Sequence, residues 1–119
     1  MENILIAEDE PHVARLLRLS LEREGYQIDV AHNGIQALEF IDKKSPDLLI
    51  TDINMPKMDG EELCMNLKEN FPDRSFPIAV LSSRTEVEHR QWSQGMSNTI
   101  FFEKPISIKK LMKYIHSIK

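Results

Sequence analysis

Three short runs of this sequence are apolar throughout, without the polar alternation of a strand that has one face in water. They cover residues 4–7, 48–50 and 78–81. Such runs are typical of strands in a parallel sheet, which helices cover on both faces. Residues 27–31 alternate instead, which predicts a strand at the sheet edge, and a fifth strand is predicted around residues 100–102.

Segments with helical spacing separate these strands. Apolar residues recur at intervals of three and four in four segments. These residues are Val13, Leu16, Leu17 and Leu21; Ala37, Leu38 and Ile41; Leu63, Cys64 and Leu67; and Ile108, Leu111, Met112 and Ile115. A further helix is predicted at 86–96, where few large apolar residues allow only weak packing. The alternation predicts one α/β domain over residues 1–119, with a doubly wound parallel sheet.

Local signals at the helix ends support this assignment. Pro11 suits a first helical turn, and Asn33–Gly34 suits a turn. Asp59–Glu62 and Thr85–Glu88 have the spacing of capping boxes. The single cysteine, Cys64, has the pattern of a buried helical residue and lacks a disulfide partner.

The composition disfavours several classes of partner. A net charge of -4 disfavours direct binding to nucleic acid, which relies on clustered Lys and Arg. No basic, apolar leader and no long apolar segment is present, so we expect neither secretion nor a membrane span, and a cytoplasmic location. The chain stops just after the last predicted helix, and a stand-alone domain is expected.

Polar residues follow four of the predicted strands directly. Glu8 and Asp9 follow the first strand, Asp52 the third, Ser82 the fourth and Lys104 the fifth. Because ligands of such sheets bind beyond the carboxyl ends of the strands, these five residues are expected to converge. Three carboxylates so close together repel one another unless a cation neutralises them. Oxygen ligands favour Mg²⁺, and the scattered histidines offer no zinc spacing.

This set of residues is suited to phosphoryl transfer. A carboxylate can attack phosphorus to form an aspartyl phosphate, while Mg²⁺ and a lysine neutralise charge on the transferring group. We predict Asp52 as the nucleophile, with Asp9 and Glu8 as metal-holding acids. Lys104 is predicted as the counter-charge for the phosphoryl group, and Ser82 as a hydroxyl donor.

These residues resemble the receiver domain of two-component response regulators, in particular single-domain receivers of the chemotaxis and sporulation type. The match covers nearly the whole chain, and its most specific stretch is residues 52–60, Asp-Ile-Asn-Met-Pro-Lys-Met-Asp-Gly. The resemblance implies a flavodoxin-like (βα)5 fold with strand order 2-1-3-4-5. It also implies a domain that is phosphorylated and is not a turnover enzyme.

The same resemblance implies roles for individual residues. Asp9 and Asp52 would bind Mg²⁺ directly, together with the main-chain carbonyl of Asn54, while Glu8 would act mainly through water. Lys104 would contact the phosphoryl group, and its peptide bond to Pro105 would be cis, as only an X-Pro bond can be at small cost. By the same resemblance, Ser82 and Phe101 would form the switch.

The resemblance also implies partners. The phosphoryl group would come from a histidine kinase or a histidine phosphotransfer protein. A downstream protein or a fused effector domain would contact the face formed by the fourth helix, fifth strand and fifth helix, at 86–96, 99–103 and 107–118. Trp92 and Tyr114 are candidate contacts on that face, since aromatic anchors suit interfaces.

Three alternatives remain open from the sequence. A Mg²⁺-dependent phosphohydrolase would share the nucleophile, but Asn54 stands where an acid or base would be needed. A flavodoxin-type FMN binder would share the strand order, but no loop rich in Ser, Thr or Gly follows the first strand. A docking module of the same fold that is never phosphorylated would be expected to lack a site residue, and none is missing.

Overall fold

The computed structural model describes residues 2–83, 92 and 96–119, and these residues form five strands and four helices. In chain order they are β1 (Asn3–Ala7), α1 (Pro11–Glu22), β2 (Gln27–Ala31), α2 (Gly34–Lys43), β3 (Leu48–Asp52), α3 (Gly60–Asn70), β4 (Ile78–Ser82), β5 (Thr99–Glu103) and α4 (Ile108–Ser117). The predicted helix at 86–96 lies outside the described residues, apart from Trp92 and Met96. The capping box predicted at Thr85–Glu88 also lies outside them.

The five strands form one parallel sheet in the order β2-β1-β3-β4-β5. This confirms the predicted doubly wound sheet, its order and the edge position of β2. The register sets Asp52 beside Leu81 and Ser82 beside Glu103. Because all five strands are parallel, their carboxyl ends lie at the same end of the sheet, and the polar residues there are brought together. This row of strand ends is the edge that carries the site.

Helices cover both faces of the sheet and form two apolar layers. Ile41 of α2 and Leu67 of α3 belong to one layer, and Leu17 of α1 and Ile115 of α4 to the other. The central strand β3 is buried at every residue, which its apolar run predicted for residues 48–50. Cys64 is a buried free thiol within the first layer, as its spacing predicted.

Two expectations from the sequence were wrong. Leu16 was placed on the apolar face of α1 but is 52% exposed. Its neighbour Leu17 faces the sheet, and one residue of helix turns the side chain by about 100°. Asn33–Gly34 is the start of α2 and not a free turn. The Asn33 side chain accepts a hydrogen bond from the Gln36 N–H, which is a strong N-cap interaction.

Other local signals were correct. Pro11 is the first residue of α1, where a missing N–H costs nothing. Asp59 caps α3 in a complete capping box: Asp59 Oδ1 accepts from the Glu62 N–H at 2.8 Å, and the Glu62 carboxylate accepts from the Asp59 N–H at 3.2 Å. None of the helices in the described ranges is long and apolar enough to cross a bilayer.

Candidate metal and phosphorylation site

Asp52 is the last residue of the central strand, and its side chain is buried at the edge where the strands end. The residue is 3% exposed. Its Oδ1 accepts a hydrogen bond of 2.9 Å from the Ile53 N–H, and its main-chain carbonyl accepts one of 2.9 Å from the Thr51 hydroxyl. The strand therefore presents a carboxylate at a fixed position, as its sequence predicted.

Two further carboxylates lie next to Asp52. Glu8 and Asp9 follow β1, which pairs directly with β3, so that Ala7 is opposite Thr51. One carboxylate oxygen of each acid lies within 4.8 Å of those of the other two. The predicted acidic cluster is therefore present.

Glu8 is the most buried member of this cluster, at 1% exposed. Its Oε2 accepts from the Glu10 N–H at 3.2 Å, whereas its Oε1 has no hydrogen-bond partner among the described residues. Burial raises the pKa of Glu8 from 4.5 to about 7; the charges of Asp52 and Asp9 also raise it, while the Glu10 N–H and Lys104 lower it. Glu8 is thus a buried acid, and one of its oxygens is not satisfied by the residues that the structure describes.

Lys104 brings a positive charge to the site from the end of β5. Its Nζ lies 2.6 Å from Asp52 Oδ1, and its side chain is 32% exposed. The Lys104 N–H donates to the Ser82 carbonyl at 2.9 Å, which joins the ends of β5 and β4. The peptide bond between Lys104 and Pro105 is cis. Ser82 is buried as the last residue of β4.

The loop after Asp52 folds back on the strand that carries it. The Gly60 N–H donates to the Ile53 carbonyl at 2.8 Å. A Cβ at Gly60 would collide with the Asp52 carbonyl oxygen and lie 2.9 Å from the Ile53 Cα, so only glycine fits there. Within this loop Lys57 takes a left-handed conformation, with φ of 66°. Asn54, which follows Ile53, is exposed.

Two aromatic pairs lie on opposite faces of β5. Phe101 packs edge-to-face against Trp92, with ring centroids 5.6 Å apart, and belongs to the layer of α2 and α3. Phe102 packs edge-to-face against Tyr114 at 5.6 Å in the layer of α1 and α4. Both predicted interface aromatics therefore make contacts within the chain. Burial raises the pKa of the Tyr114 hydroxyl.

The residues at this edge fit a hard divalent cation. The cluster offers only oxygen ligands, which suit Mg²⁺. Glu8 Oε1, which finds no donor in the described part of the chain, gives the same indication, because a buried carboxylate oxygen without a donor is costly unless a cation or water satisfies it.

One contact of the site was missed by the sequence analysis. Gly34, assigned to a turn, lies against the loop that follows Asp52, and its N–H donates to the Met58 carbonyl at 2.9 Å. Residues 34 and 58 are far apart in sequence, and no local signal connects them.

The parallel sheet and the acid and lysine side chains at its edge define a receiver-type α/β signalling domain. The family model described as "Response regulator receiver domain" matches residues 4–116. Response regulator MprA of Mycobacterium ulcerans is 34% identical over 115 residues, which cover 97% of this chain and 49% of that protein. The chain belongs to the response regulator receiver domain family. It spans about half the length of the curated relatives it matches.

Solved structures agree with this assignment. The chemotaxis protein CheY4 of Vibrio cholerae superposes with a TM-score of 0.87 at 26% identity, covering 100% of this chain and 99% of that one. The response regulator TrrA of Thermotoga maritima, solved in complex with Mg²⁺ and BeF, gives a TM-score of 0.84 at 28% identity, with full coverage of both chains. Family membership favours a receiver over the flavodoxin-type FMN binder, which shares the strand order.

Proposed function

We propose that this domain accepts a phosphoryl group on Asp52 from the phosphohistidine of a histidine kinase or a histidine phosphotransfer protein, in a Mg²⁺-dependent reaction. Phosphorylation then changes a surface that binds a downstream partner. The observation that carries the proposal is the contact of 2.6 Å between Lys104 Nζ and Asp52 Oδ1, at the edge of a cluster of three carboxylates. The proposed nucleophile, Asp52, is thus in contact with a lysine that can neutralise the charge of a phosphoryl group.

In the proposed reaction an Asp52 oxygen attacks phosphorus as the P–N bond of the donor breaks. The electron pair of that bond leaves with the imidazole, which takes up a proton, and Asp52 becomes an acyl phosphate. Lys104, which pairs with the Asp52 carboxylate before the reaction, would pair with the phosphoryl oxygens after it. In the later hydrolysis, water attacks phosphorus, the P–O bond to Asp52 breaks, and inorganic phosphate leaves.

Asp9 and Asp52, with the main-chain carbonyl of Asn54, would hold Mg²⁺ directly, and Glu8 would act mainly through water. When bound, Mg²⁺ supplies positive charge to the oxygens of the transferring phosphoryl group. The depth of Glu8 supports a role in tuning this site, since a carboxylate buried among two others is stabilised by a cation. The Mg²⁺ and BeF complex of the Thermotoga relative supports the choice of metal.

The switch would begin at Ser82 and end at Phe101. A phosphoryl group adds roughly 1.5 to 2 negative charges and new acceptor oxygens, which would draw the Ser82 hydroxyl toward Asp52. Phe101 lies two residues before the end of β5 and is half-buried against Trp92. Because β5 pairs with β4, a shift in β4 would alter the packing of these two rings. The face formed by 86–96, 99–103 and 107–118 would then bind the downstream protein or effector domain.

Incubation with Mg²⁺ and a small phosphodonor such as acetyl phosphate tests the central claim. Intact-mass spectrometry should detect one added phosphoryl group in the unchanged protein and in Asp73→Asn, an exposed residue that precedes β4 and so lies toward the opposite end of the strands. Asp52→Asn should gain none. Equal phosphorylation of Asp52→Asn would overturn the proposal, and steady release of phosphate from simple monoesters would favour the phosphohydrolase instead.

A further inference from the structure

The start of α2 is a contact point for the loop that follows Asp52. Gly34, the first residue of α2, is buried, and its N–H donates to the Met58 carbonyl at 2.9 Å. Asn33 is also buried and caps the same helix through Gln36. A capped and buried helix end is a rigid support, since its first N–H groups already have fixed partners.

The contact requires glycine for space and not for backbone conformation. A Cβ at Gly34 would lie 2.6 Å from Met58 Cγ and 2.8 Å from the Met58 carbonyl oxygen. Gly34 does not have the positive φ found at Gly25. Any larger residue must therefore push Met58 away from α2 and lengthen the hydrogen bond.

The displaced loop is the one that carries the Asn54 carbonyl. A hydrogen bond of 2.8 Å from the Gly60 N–H to the Ile53 carbonyl joins the two ends of this loop, and the Gly34 N–H holds the loop to α2 at Met58. Asn54 lies between Ile53 and Met58, and a further hydrogen bond of 2.7 Å joins the Met58 N–H to the Pro56 carbonyl in the same segment. Only residues 55–57 separate Met58 from Asn54, so a shift of Met58 would act on the Asn54 carbonyl through this short segment.

We infer that Gly34 is a positioning residue for the metal site, because through Met58 it sets the path of the loop that carries the Asn54 carbonyl. The inference rests on the proposed function, in which that carbonyl is a Mg²⁺ ligand. Groups that orient metal ligands typically alter metal affinity by roughly 10 to 100-fold when changed. Gly34 has this effect because it lacks a side chain, which leaves space for Met58 to lie against the start of α2.

Isothermal titration of the full chain with Mg²⁺ tests this inference, with circular dichroism to confirm folding. Gly34→Ala should weaken Mg²⁺ binding by roughly tenfold or more. Adding Met58→Ala to that variant removes the nearest clashing atom, Cγ, but leaves the carbonyl oxygen and Cβ of residue 58 within 3.0 Å of the new methyl group, so only part of the affinity should return. Gly25→Ala is the matched control: its φ of 94° makes alanine strained, but it lies before β2, at the opposite end of the sheet. It should lower stability and leave the Mg²⁺ affinity unchanged.

The outcomes separate the inference from the proposed function. If the unchanged protein binds no Mg²⁺, the proposed function fails and the inference fails with it. If the unchanged protein binds Mg²⁺ and a folded Gly34→Ala binds it equally well, only the inference fails. If Gly34→Ala does not fold, the double variant decides: weaker binding than Met58→Ala alone supports the inference, and equal binding overturns it.

Discussion

The Lys104 ammonium lies 2.6 Å from Asp52 Oδ1, so the end of the edge strand β5 reaches the end of the central strand β3 across β4. Asp52 is almost fully buried, and Lys104 is its charge partner beside two further acids. In the proposed function a bound Mg²⁺ would act on the same carboxylate as the lysine, and replacing the lysine alone would separate the two effects.

Replacing Lys104 should separate metal binding from phosphoryl transfer. Lys104→Met removes a positive charge beside three carboxylates, so Mg²⁺ should bind more tightly. Phosphorylation of Asp52 should slow by about 100-fold, the typical effect of losing one group that stabilises transition-state charge. Titration with Mg²⁺ and the rate of phosphorylation by acetyl phosphate measure the two effects. Lys109→Met, an exposed lysine on α4, should change neither, and weaker Mg²⁺ binding in Lys104→Met would contradict the assignment.

Glu8 should make the metal-free protein less stable as the pH rises. Its pKa is raised from 4.5 to about 7 in the folded protein, mainly by burial, and returns to its ordinary value on unfolding. Between these values the folded state binds more protons than the unfolded state, so the free energy of unfolding falls with rising pH. The fall should be on the order of 2–3 kcal/mol.

Urea denaturation in the presence of a chelator, at several pH values from 4.5 to 7, measures this dependence. Glu8→Gln cannot ionise at this position, so it should lose the part of the pH dependence of the free energy of unfolding that comes from Glu8. Any part that comes from the other groups of the site should remain. Saturating Mg²⁺ should also reduce the slope, because the metal favours the ionised carboxylates. Identical slopes for the two proteins without metal would show that Glu8 is not the titrating group.

Gly60 should tolerate no side chain. In Gly60→Ala the new methyl group would collide with the Asp52 carbonyl oxygen, a main-chain atom of the central strand that cannot move aside easily. We expect a loss of about 3 kcal/mol in the free energy of unfolding, at the upper end for overpacking. In Gly25→Ala no atom of the described residues lies within 4 Å of the new Cβ, and strain alone should cost about 1 kcal/mol. Urea unfolding curves compare the two, and equal losses would refute the steric argument.

Trp92 should report the switch. It is the single tryptophan of the chain and packs edge-to-face on Phe101. Its fluorescence should therefore change when Asp52 is phosphorylated, and the change should be much smaller in Phe101→Leu. Phe102→Leu is the matched control, since Phe102 packs on Tyr114 across the sheet and should leave the response intact. A spectrum that does not change on full phosphorylation of the unchanged protein would exclude movement of this pair.

The strands and the main site residues could be predicted because local pattern carries them. An uninterrupted apolar run needs cover on both faces, so β1, β3 and β4 could be recognised as inner strands. Parallel strands end at one edge, which brings Glu8, Asp52 and Lys104 together without knowledge of any side-chain contact. The exposed position of Leu16 could not be obtained this way, because helical spacing does not say which of two adjacent leucines faces the sheet.

The sequence by itself determined the fold class and which chemical groups stand at the strand ends, since periodicity and strand direction are properties of short segments. Only the tertiary structure decided how close those groups are, how deeply Glu8 is buried, and that Gly34 supports the loop through Met58. These depend on distances between residues remote in sequence, and burial and van der Waals contact act over a few ångströms in space whatever the separation along the chain.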